Sequence, residues 1–102
     1  MSLYALQKAI YEINRDEAEM ARYKADAKGF ASAYEMTTEE AAAFSAPDVG
    51  LLYVLGVNGQ LLMHFAASCG YEWNAYLAAM KDGLRVHGPV REGLYAAKGA
   101  LR

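Results

Sequence analysis

The chain has 102 residues, of which 55% are apolar and 22% charged, and its formal net charge is −2 at pH 7. This length and composition fit one small folded domain and exclude a disordered chain. The negative charge argues against a nucleic-acid-binding protein, which needs a basic face to displace counterions from phosphates. Cys69 is the only cysteine, so no intrachain disulfide can form. The N-terminus lacks the pattern of a secretory signal, so a cytoplasmic protein is expected.

The first third of the chain predicts short helices. A first amphipathic helix is predicted by apolar residues at helical spacing, namely Leu3, Leu6, Ile10 and Ile13. Asn14 followed by Glu17 predicts the cap of a second helix, although a kinked continuation of the first is an alternative. The second helix would turn Met20, Ala21 and Tyr23 inward.

Two further short helices are expected before the middle of the chain. Thr37 and Glu40 have the spacing of a capping box, which predicts a helix that ends before Pro47. A helix over residues 27 to 34 would precede it and bury three side chains: Phe30, Ala33 and Tyr34.

The central segment from Val49 to Ala67 is almost entirely apolar. About 20 continuous apolar residues would be long enough to cross a bilayer as one helix. The sequence Gly56-Val57-Asn58-Gly59 interrupts the segment with residues that disfavour helix interiors, so no membrane span is predicted. Two short core helices are expected instead: Asp48 caps the first, Gly56 ends it, and Asn58 caps the second.

The last helix is predicted to stop at Asp82-Gly83, and turn-forming residues follow it. Residues 85–102 carry a local formal charge of +3, which leaves −5 on the rest. We therefore divide the chain into a helical domain over 1–84 and a basic C-terminal tail over 85–102 that packs on the domain or a partner. The fold class is all-α: a compact bundle of about five to seven short helices with an extended tail. The apolar face of the last helix contains Trp73, Tyr76, Leu77 and Met80.

The sequence predicts neither a catalytic residue nor a metal site. His64, His87 and Cys69 do not have a metal-ligand spacing, and Cys69 has no activating base nearby in the sequence. His64 lies next to the apolar stripe of the second central helix, where a partly buried histidine bonded to a backbone carbonyl is expected. His87 lies in a Gly-Pro loop between two arginines, so it is either at a pocket mouth or in solvent.

The aromatic content suggests a protein interface. Eight tyrosines and one tryptophan exceed what a core of this size needs. Aromatic residues with a polar group are enriched at interfaces, although half-buried tyrosines with solvated hydroxyls are equally compatible with the pattern. The tyrosines near the central break and the tail are the candidates: Tyr53, Tyr71 and Tyr95.

Several motifs, in their order and spacing, resemble those of one known family. They are Tyr4 to Asp26 ending in Arg22-Tyr23-Lys24-Ala25-Asp26, then Thr37-Thr38-Glu39-Glu40, Asp48, Gly56-x-Asn58, Met80-Lys81-Asp82-Gly83, and the tail pairs Val90-Arg91 and Lys98-Gly99. This pattern resembles the small alpha subunit of protocatechuate 4,5-dioxygenases, the LigA type. The likeness covers most of the chain.

The resemblance implies an accessory subunit of an extradiol ring-cleaving dioxygenase. In that family a larger beta subunit holds Fe(II) on two histidines and one carboxylate, a ligand set suited to O₂ activation. The all-helical small subunit caps the cleft and holds no cofactor itself. His87 and Arg91 are the best candidates to reach that cleft. The full set of candidate contacts with partner or substrate is Asn58, Gly59, Tyr71, His87, Arg91 and Tyr95.

An alternative interpretation is a stand-alone helical binding module that recognises a peptide or another protein. It would use an aromatic groove near residues 56–59, and it could self-associate as a homodimer. In that case the partner would be a second copy or another protein instead of a catalytic subunit. Neither interpretation includes nucleic acid or membrane.

Overall fold

The computed structural model describes residues 2–91, and the predicted contact Tyr95 therefore lies outside the described part of the chain, as does most of the predicted tail. This part is all-α, as predicted, with seven helices and no strand. None of these helices has both the length and the apolar content needed to span a membrane. The helices are α1 (Ser2–Arg15), α2 (Glu17–Ala25), α3 (Ala27–Ala31), α4 (Thr38–Ser45), α5 (Val49–Leu55), α6 (Gly59–Ser68) and α7 (Trp73–His87).

The break between the central helices α5 and α6 is confirmed at each predicted residue. Asp48 Oδ1 accepts a hydrogen bond from Leu51 N at 3.1 Å and so caps α5. Gly56 ends α5 with φ of +108°, a left-handed conformation that suits glycine. Asn58 Oδ1 accepts from Gln60 N at 2.9 Å and caps α6. The predicted capping box at the start of α4 is also present.

The core lies between α1, α4, α5, α6 and the aromatic residues of α2 and α3. Tyr23, Phe44 and Phe65 are in mutual contact, with ring centroids 4.9 to 5.9 Å apart. The apolar face of α1 packs into the same core, which accounts for the predicted stripe. The largest fully buried side chains are Phe44, Phe65, Leu6, Ile10, Leu52, Leu62, Val49 and Val54.

The predicted cap of α2 is wrong by two residues. Asn14 lies inside α1, and its Nδ2 donates to the carbonyl oxygen of Leu61 at 3.1 Å. Asp16 is the cap instead, since its Oδ1 accepts from Ala18 N at 2.9 Å. The chain therefore breaks at Asp16, and the alternative of one kinked helix is not observed. Ala21 is exposed, contrary to expectation, while Tyr23 is buried.

The third helix is shorter than predicted and ends at Ala31. Asp26 caps it, accepting from Gly29 N at 3.0 Å. Phe30 is buried as expected, but Ala33 is exposed because it lies in the turn that follows the helix. Tyr34 is half-buried and stacks on Phe30, with centroids 5.7 Å apart.

The predicted end of the last helix at Asp82-Gly83 is wrong, because α7 continues to His87. Gly83 is buried in the helix, where it faces Gly50 of α5. A Cβ added to Gly83 would lie 2.5 Å from the Gly50 carbonyl oxygen, so glycine is required for the close approach of the two helices. Position 85, where the predicted tail begins, is therefore helical. Residues 88–91 follow without regular structure.

Candidate functional site

Tyr71 and His87, two of the predicted contact residues, line the same cavity at the crossing of α5 and α7. Its volume is about 340 Å³. Gly50 and Gly83 form part of its wall, at the point where the backbones of the two helices approach most closely. The polar side chains of the lining are those of Asp48, Tyr71, Asp82 and His87. The lining residues are Asp48, Val49, Gly50, Tyr71, Ala79, Asp82, Gly83, Val86 and His87.

Tyr71 is held by the turn between α6 and α7. Its backbone N–H donates to the carbonyl oxygen of Ala66 at 3.0 Å, and its side chain is half-buried. Burial raises the pKa of the Tyr71 phenol, and the nearby Asp48 carboxylate raises it further. The hydroxyl therefore stays neutral at physiological pH, so it can donate one hydrogen bond and accept others.

Arg91, a third predicted contact, is bound to α4 and α5 through its side chain and backbone. Its backbone N–H donates to the carbonyl oxygen of Val54 at 2.8 Å. Its Nη1 donates to Glu39 Oε1 at 2.5 Å, which joins the segment after α7 to the first turn of α4. The hydrogen bond from Arg91 lowers the pKa of Glu39, and the charge of His87 adds a smaller effect in the same direction.

His87 lines the cavity, and it is close enough to Glu39 of the Arg91–Glu39 pair for its charge to act on that carboxylate. It is the last residue of α7, not part of a loop, and it is exposed. Glu39 and Arg91 remain about half exposed, with side-chain exposures of 47% and 44%. The arrangement presents an imidazole and a phenol on one cavity and a guanidinium on the segment that follows α7, and these groups can hydrogen-bond a carboxylate or a polar rim.

Asn58 and Gly59 are not part of this cluster. Asn58 N donates to Gln7 Oε1 at 2.6 Å, and Gly59 O accepts from the Tyr76 hydroxyl at 3.4 Å. Tyr76 precedes His87 by eleven residues on α7, which corresponds to about 16 Å along a helix. Asn58 lines a separate cavity of about 490 Å³ with Gln7, Gly56 and Leu61. Apart from Tyr95, the predicted contacts thus form two separate groups: Asn58 and Gly59 in one, and Tyr71, His87 and Arg91 in the other.

Glu39, Asp48 and Asp82 were not among the predicted contact residues. Glu39 and Asp48 do belong to helix N-termini, but Glu39 also binds Arg91, and Asp48 also lines the cavity. Asp82 is the third, because the predicted helix end at Asp82-Gly83 concealed its place on the wall. Asp82 precedes Arg85 by three residues and pairs with it at 2.5 Å. This spacing of opposite charges was the local sign in the sequence that Asp82 lies on a helix.

A further cavity, of about 580 Å³, was not anticipated at all. It lies between α3 and α4, and its walls are mostly alanine with one charged residue, Lys28. Small alanines at helical spacing give no sequence signal that distinguishes a groove from ordinary packing. Asn58, Gly59, Tyr71, His87 and Arg91 are not among its lining residues.

The histidines of this chain lie on different helices. His64 is on α6 and is exposed, so the expectation of a partly buried histidine is wrong. Its position next to the stripe turns it outward by about 100° from Phe65. Within residues 2–91, histidine, cysteine and carboxylate side chains do not assemble in groups of three or more that could hold a metal ion. The described residues therefore do not fit the ligand set of two histidines and one carboxylate.

Comparison with known proteins identifies the family. The family model described as "Aromatic-ring-opening dioxygenase LigAB, LigA subunit" matches residues 6–86, about four fifths of the chain. Searches of curated proteins and of solved structures gave no significant match. The matched range includes all of α2 to α6, most of α1 and α7, and every lining residue of the cavity with Tyr71 except His87. Arg91 also lies outside it. The chain therefore belongs to the LigA subunit family of aromatic-ring-opening dioxygenases.

Proposed function

We propose that this chain is the non-catalytic small subunit of an aromatic-ring-opening dioxygenase, and that it caps the active site of a larger catalytic subunit. The observation that carries the proposal is the family match over residues 6–86. A protocatechuate-like aromatic acid is the substrate class that the sequence resemblance suggests. The all-α fold, with polar groups gathered at the end of α7, is consistent with a subunit that contributes contacts to a site held elsewhere.

The Fe(II) of such an enzyme is assigned to the larger subunit. The described residues of this chain do not offer a fitting set of ligands, as described above, so no step of the reaction is assigned to them. When bound in the partner, iron would activate O₂ for ring cleavage. The contribution of this chain would be to position the substrate and to exclude water from the cleft.

The cluster at the end of α7 is the part of the chain proposed to meet the cleft. Arg91 is exposed and carries a charge that suits an aromatic carboxylate, and a guanidinium can bind a carboxylate through two hydrogen bonds. Because Arg91 already binds Glu39, an incoming carboxylate would have to share or replace that partner. His87 and Tyr71 add two neutral or cationic donors on the adjacent wall.

Co-expression with the larger subunit tests the proposal. The gene neighbouring this one should encode a LigB-type subunit, and the two purified chains should be compared alone and together. We expect a stable complex by gel filtration, ring opening of a catechol-type acid only when Fe(II) and the larger subunit are present, and no activity from this chain alone. Absence of both complex and activation would refute the proposal.

Replacement of Arg91 tests the proposed contact. Arg91→Ala should lower kcat/KM by about tenfold, since one charge-assisted hydrogen-bond donor is removed. The melting temperature should change little because the ion pair with Glu39 is exposed. Arg85→Ala is the matched control: Arg85 is also exposed and paired with a carboxylate, but it lies on α7 itself. Equal losses in both variants would contradict a specific contact through Arg91.

A further inference from the structure

The cavity of about 580 Å³ between α3 and α4 is a groove with a largely apolar lining. Of its seven described lining residues, four are alanines and one, Lys28, is charged. Ala42 and Ala46 are exposed, so the groove is accessible along α4. The lining of this alanine groove consists of Lys28, Ala31, Thr38, Ala41, Ala42, Ser45 and Ala46.

The last described residue, Arg91, is bound beside this groove. Its Nη1 donates to Glu39 Oε1, and Glu39 directly follows Thr38 of the groove lining. Residues three and seven positions apart lie on one face of a helix, so Glu39, Ala42 and Ala46 form one exposed row along α4. Arg91 is therefore bound at the first residue of a row whose other two members line the groove.

The contacts of Arg91 fix the point from which the chain continues. Besides the bond to Glu39, its backbone N–H donates to the carbonyl oxygen of Val54 on α5 at 2.8 Å. From Glu39 to Ala46 the axis of α4 rises by about 10 Å, at about 1.5 Å per residue. An extended chain covers this length in about three residues. Positions 94 and 95 are therefore close enough to Arg91 to reach the alanine groove.

The sequence after Arg91 supplies apolar side chains at these positions. In residues 92–102, Leu94 and Tyr95 are the first large apolar residues. Moving such side chains from water onto alanine methyl groups is favourable. Because the segment is joined to the chain beside the groove, its effective concentration there is about millimolar. It therefore has an advantage over a separate molecule in binding to the same surface.

We propose that residues 92–102 fold back onto the helices of their own chain, with Leu94 and Tyr95 in the alanine groove. The inference is independent of the proposed dioxygenase role, because it concerns contacts within this chain. It assigns Tyr95, a predicted contact with partner or substrate, to an intramolecular contact. The Arg91–Glu39 pair then directs the segment along α4 into the groove.

Nuclear magnetic resonance of the full chain with isotope-labelled alanine methyl groups tests the contact. In the wild type, nuclear Overhauser effects should connect the Tyr95 ring with the methyl groups of Ala42 or Ala46, and their absence overturns the proposal. Tyr95→Leu should remove the ring-current shifts of these methyl groups, because leucine has no aromatic ring. Tyr4→Leu, which replaces an exposed tyrosine on α1, is the matched control and should leave them unchanged. Equal changes in both variants contradict the contact.

Cross-linking distinguishes the chain's own segment from that of a second copy. In a Cys69→Ser background, Ala42→Cys with Leu94→Cys should form an intrachain link through a short bismaleimide, with a yield that does not depend on protein concentration. Ala21→Cys with Leu94→Cys is the matched control and should link several-fold more slowly, since Ala21 is exposed on α2 and does not line the groove. Equal rates in both variants, or links only between copies, overturn the proposal.

The larger dioxygenase subunit provides a further test of the occupant. The contacts of Tyr95 with the groove should be present in the isolated chain. If the isolated chain lacks them and Tyr95 contacts the larger subunit in the complex, the segment binds that partner and the proposal is wrong. The proposed function would still stand in that case, because complex formation and ring opening are measured separately.

Discussion

Tyr23 is the residue on which the aromatic core depends most directly. Its hydroxyl donates a buried hydrogen bond to the carbonyl oxygen of Phe44. That carbonyl lies in the last turn of α4, where carbonyl groups have no partner within the helix. The ring of Tyr23 meanwhile contacts Phe30, Phe44 and Phe65 edge-on. One side chain therefore joins α2, α3, α4 and α6 and satisfies a helix end.

Replacing this hydroxyl should measurably destabilise the fold. Tyr23→Phe keeps the ring contacts but leaves the Phe44 carbonyl without its donor, so the free energy of unfolding should fall by about 1–2 kcal/mol. Urea denaturation followed by circular dichroism measures the change. Tyr11→Phe, which removes an exposed hydroxyl, is the control and should be neutral within about 0.5 kcal/mol. A neutral Tyr23→Phe would show that water replaces the hydroxyl at the helix end.

At the scale of the helices, the contact between α5 and α7 is set by two glycines. A Cβ on Gly50 would lie 2.5 Å from the carbonyl oxygen of Ala79, and one on Gly83 equally close to that of Gly50. Backbone atoms cannot move aside as a side chain would, so the two helices would have to separate. The cavity that contains Tyr71 and His87 lies along this crossing and depends on its geometry.

Alanine at either glycine should therefore destabilise the protein, although alanine is the better helix former. Gly50→Ala and Gly83→Ala should each lower the free energy of unfolding by about 1–3 kcal/mol, the usual cost of overpacking. Gly59→Ala is the control, because Gly59 is helical and its Cβ would meet nothing within 4 Å. That variant should be neutral or slightly more stable. Thermal and urea denaturation of the three variants would distinguish these outcomes.

Helix caps could be predicted from the sequence, whereas contacts between helices could not. Asp48, Gly56, Asn58 and the Thr37–Glu40 pair were predicted correctly, because a cap depends on residues within four positions of one another. Gly83 was misinterpreted as a helix end, because glycine is needed there for a close contact with Gly50, which is 33 residues away in the sequence. The same limit applies to the site. Tyr71 and His87 were identified singly, but their shared cavity and the Arg91–Glu39 pair arise only when α4, α5 and α7 come together.

At the scale of the whole molecule, the burial of several weakly acidic side chains should make the free energy of unfolding decrease at alkaline pH. Burial is the main cause that raises the pKa of Tyr23, Tyr34, Tyr71 and Tyr76, and it raises the pKa of Cys69 to about 11. A raised pKa means that the folded state favours the neutral form more than the unfolded state does. The resulting stability is fully present below the unfolded values, 9.0 for cysteine and 10.0 for tyrosine, and it is lost as pH rises above them.

The free energy of unfolding should therefore be constant from about pH 7 to 8 and fall progressively above about pH 9. Urea denaturation at a series of pH values measures the decline. Cys69→Ser should remove the part of the decline in stability that begins near the unfolded-state pKa of the thiol. Tyr23→Phe should make the free energy of unfolding fall less steeply with pH above the unfolded-state pKa of tyrosine. A stability that stays level up to pH 11 would contradict the assigned burial of these groups.

The exposure of Trp73 has a practical consequence for spectroscopy. Trp73 is the only tryptophan of the chain, and it lies at the surface of α7, 5.6 Å from the ring of Tyr76. Its fluorescence therefore reports on the solvent beside α7 and gives little information on the aromatic core around Tyr23. Emission should shift to shorter wavelength when that surface is covered, so one intrinsic fluorophore distinguishes association from unfolding without any label.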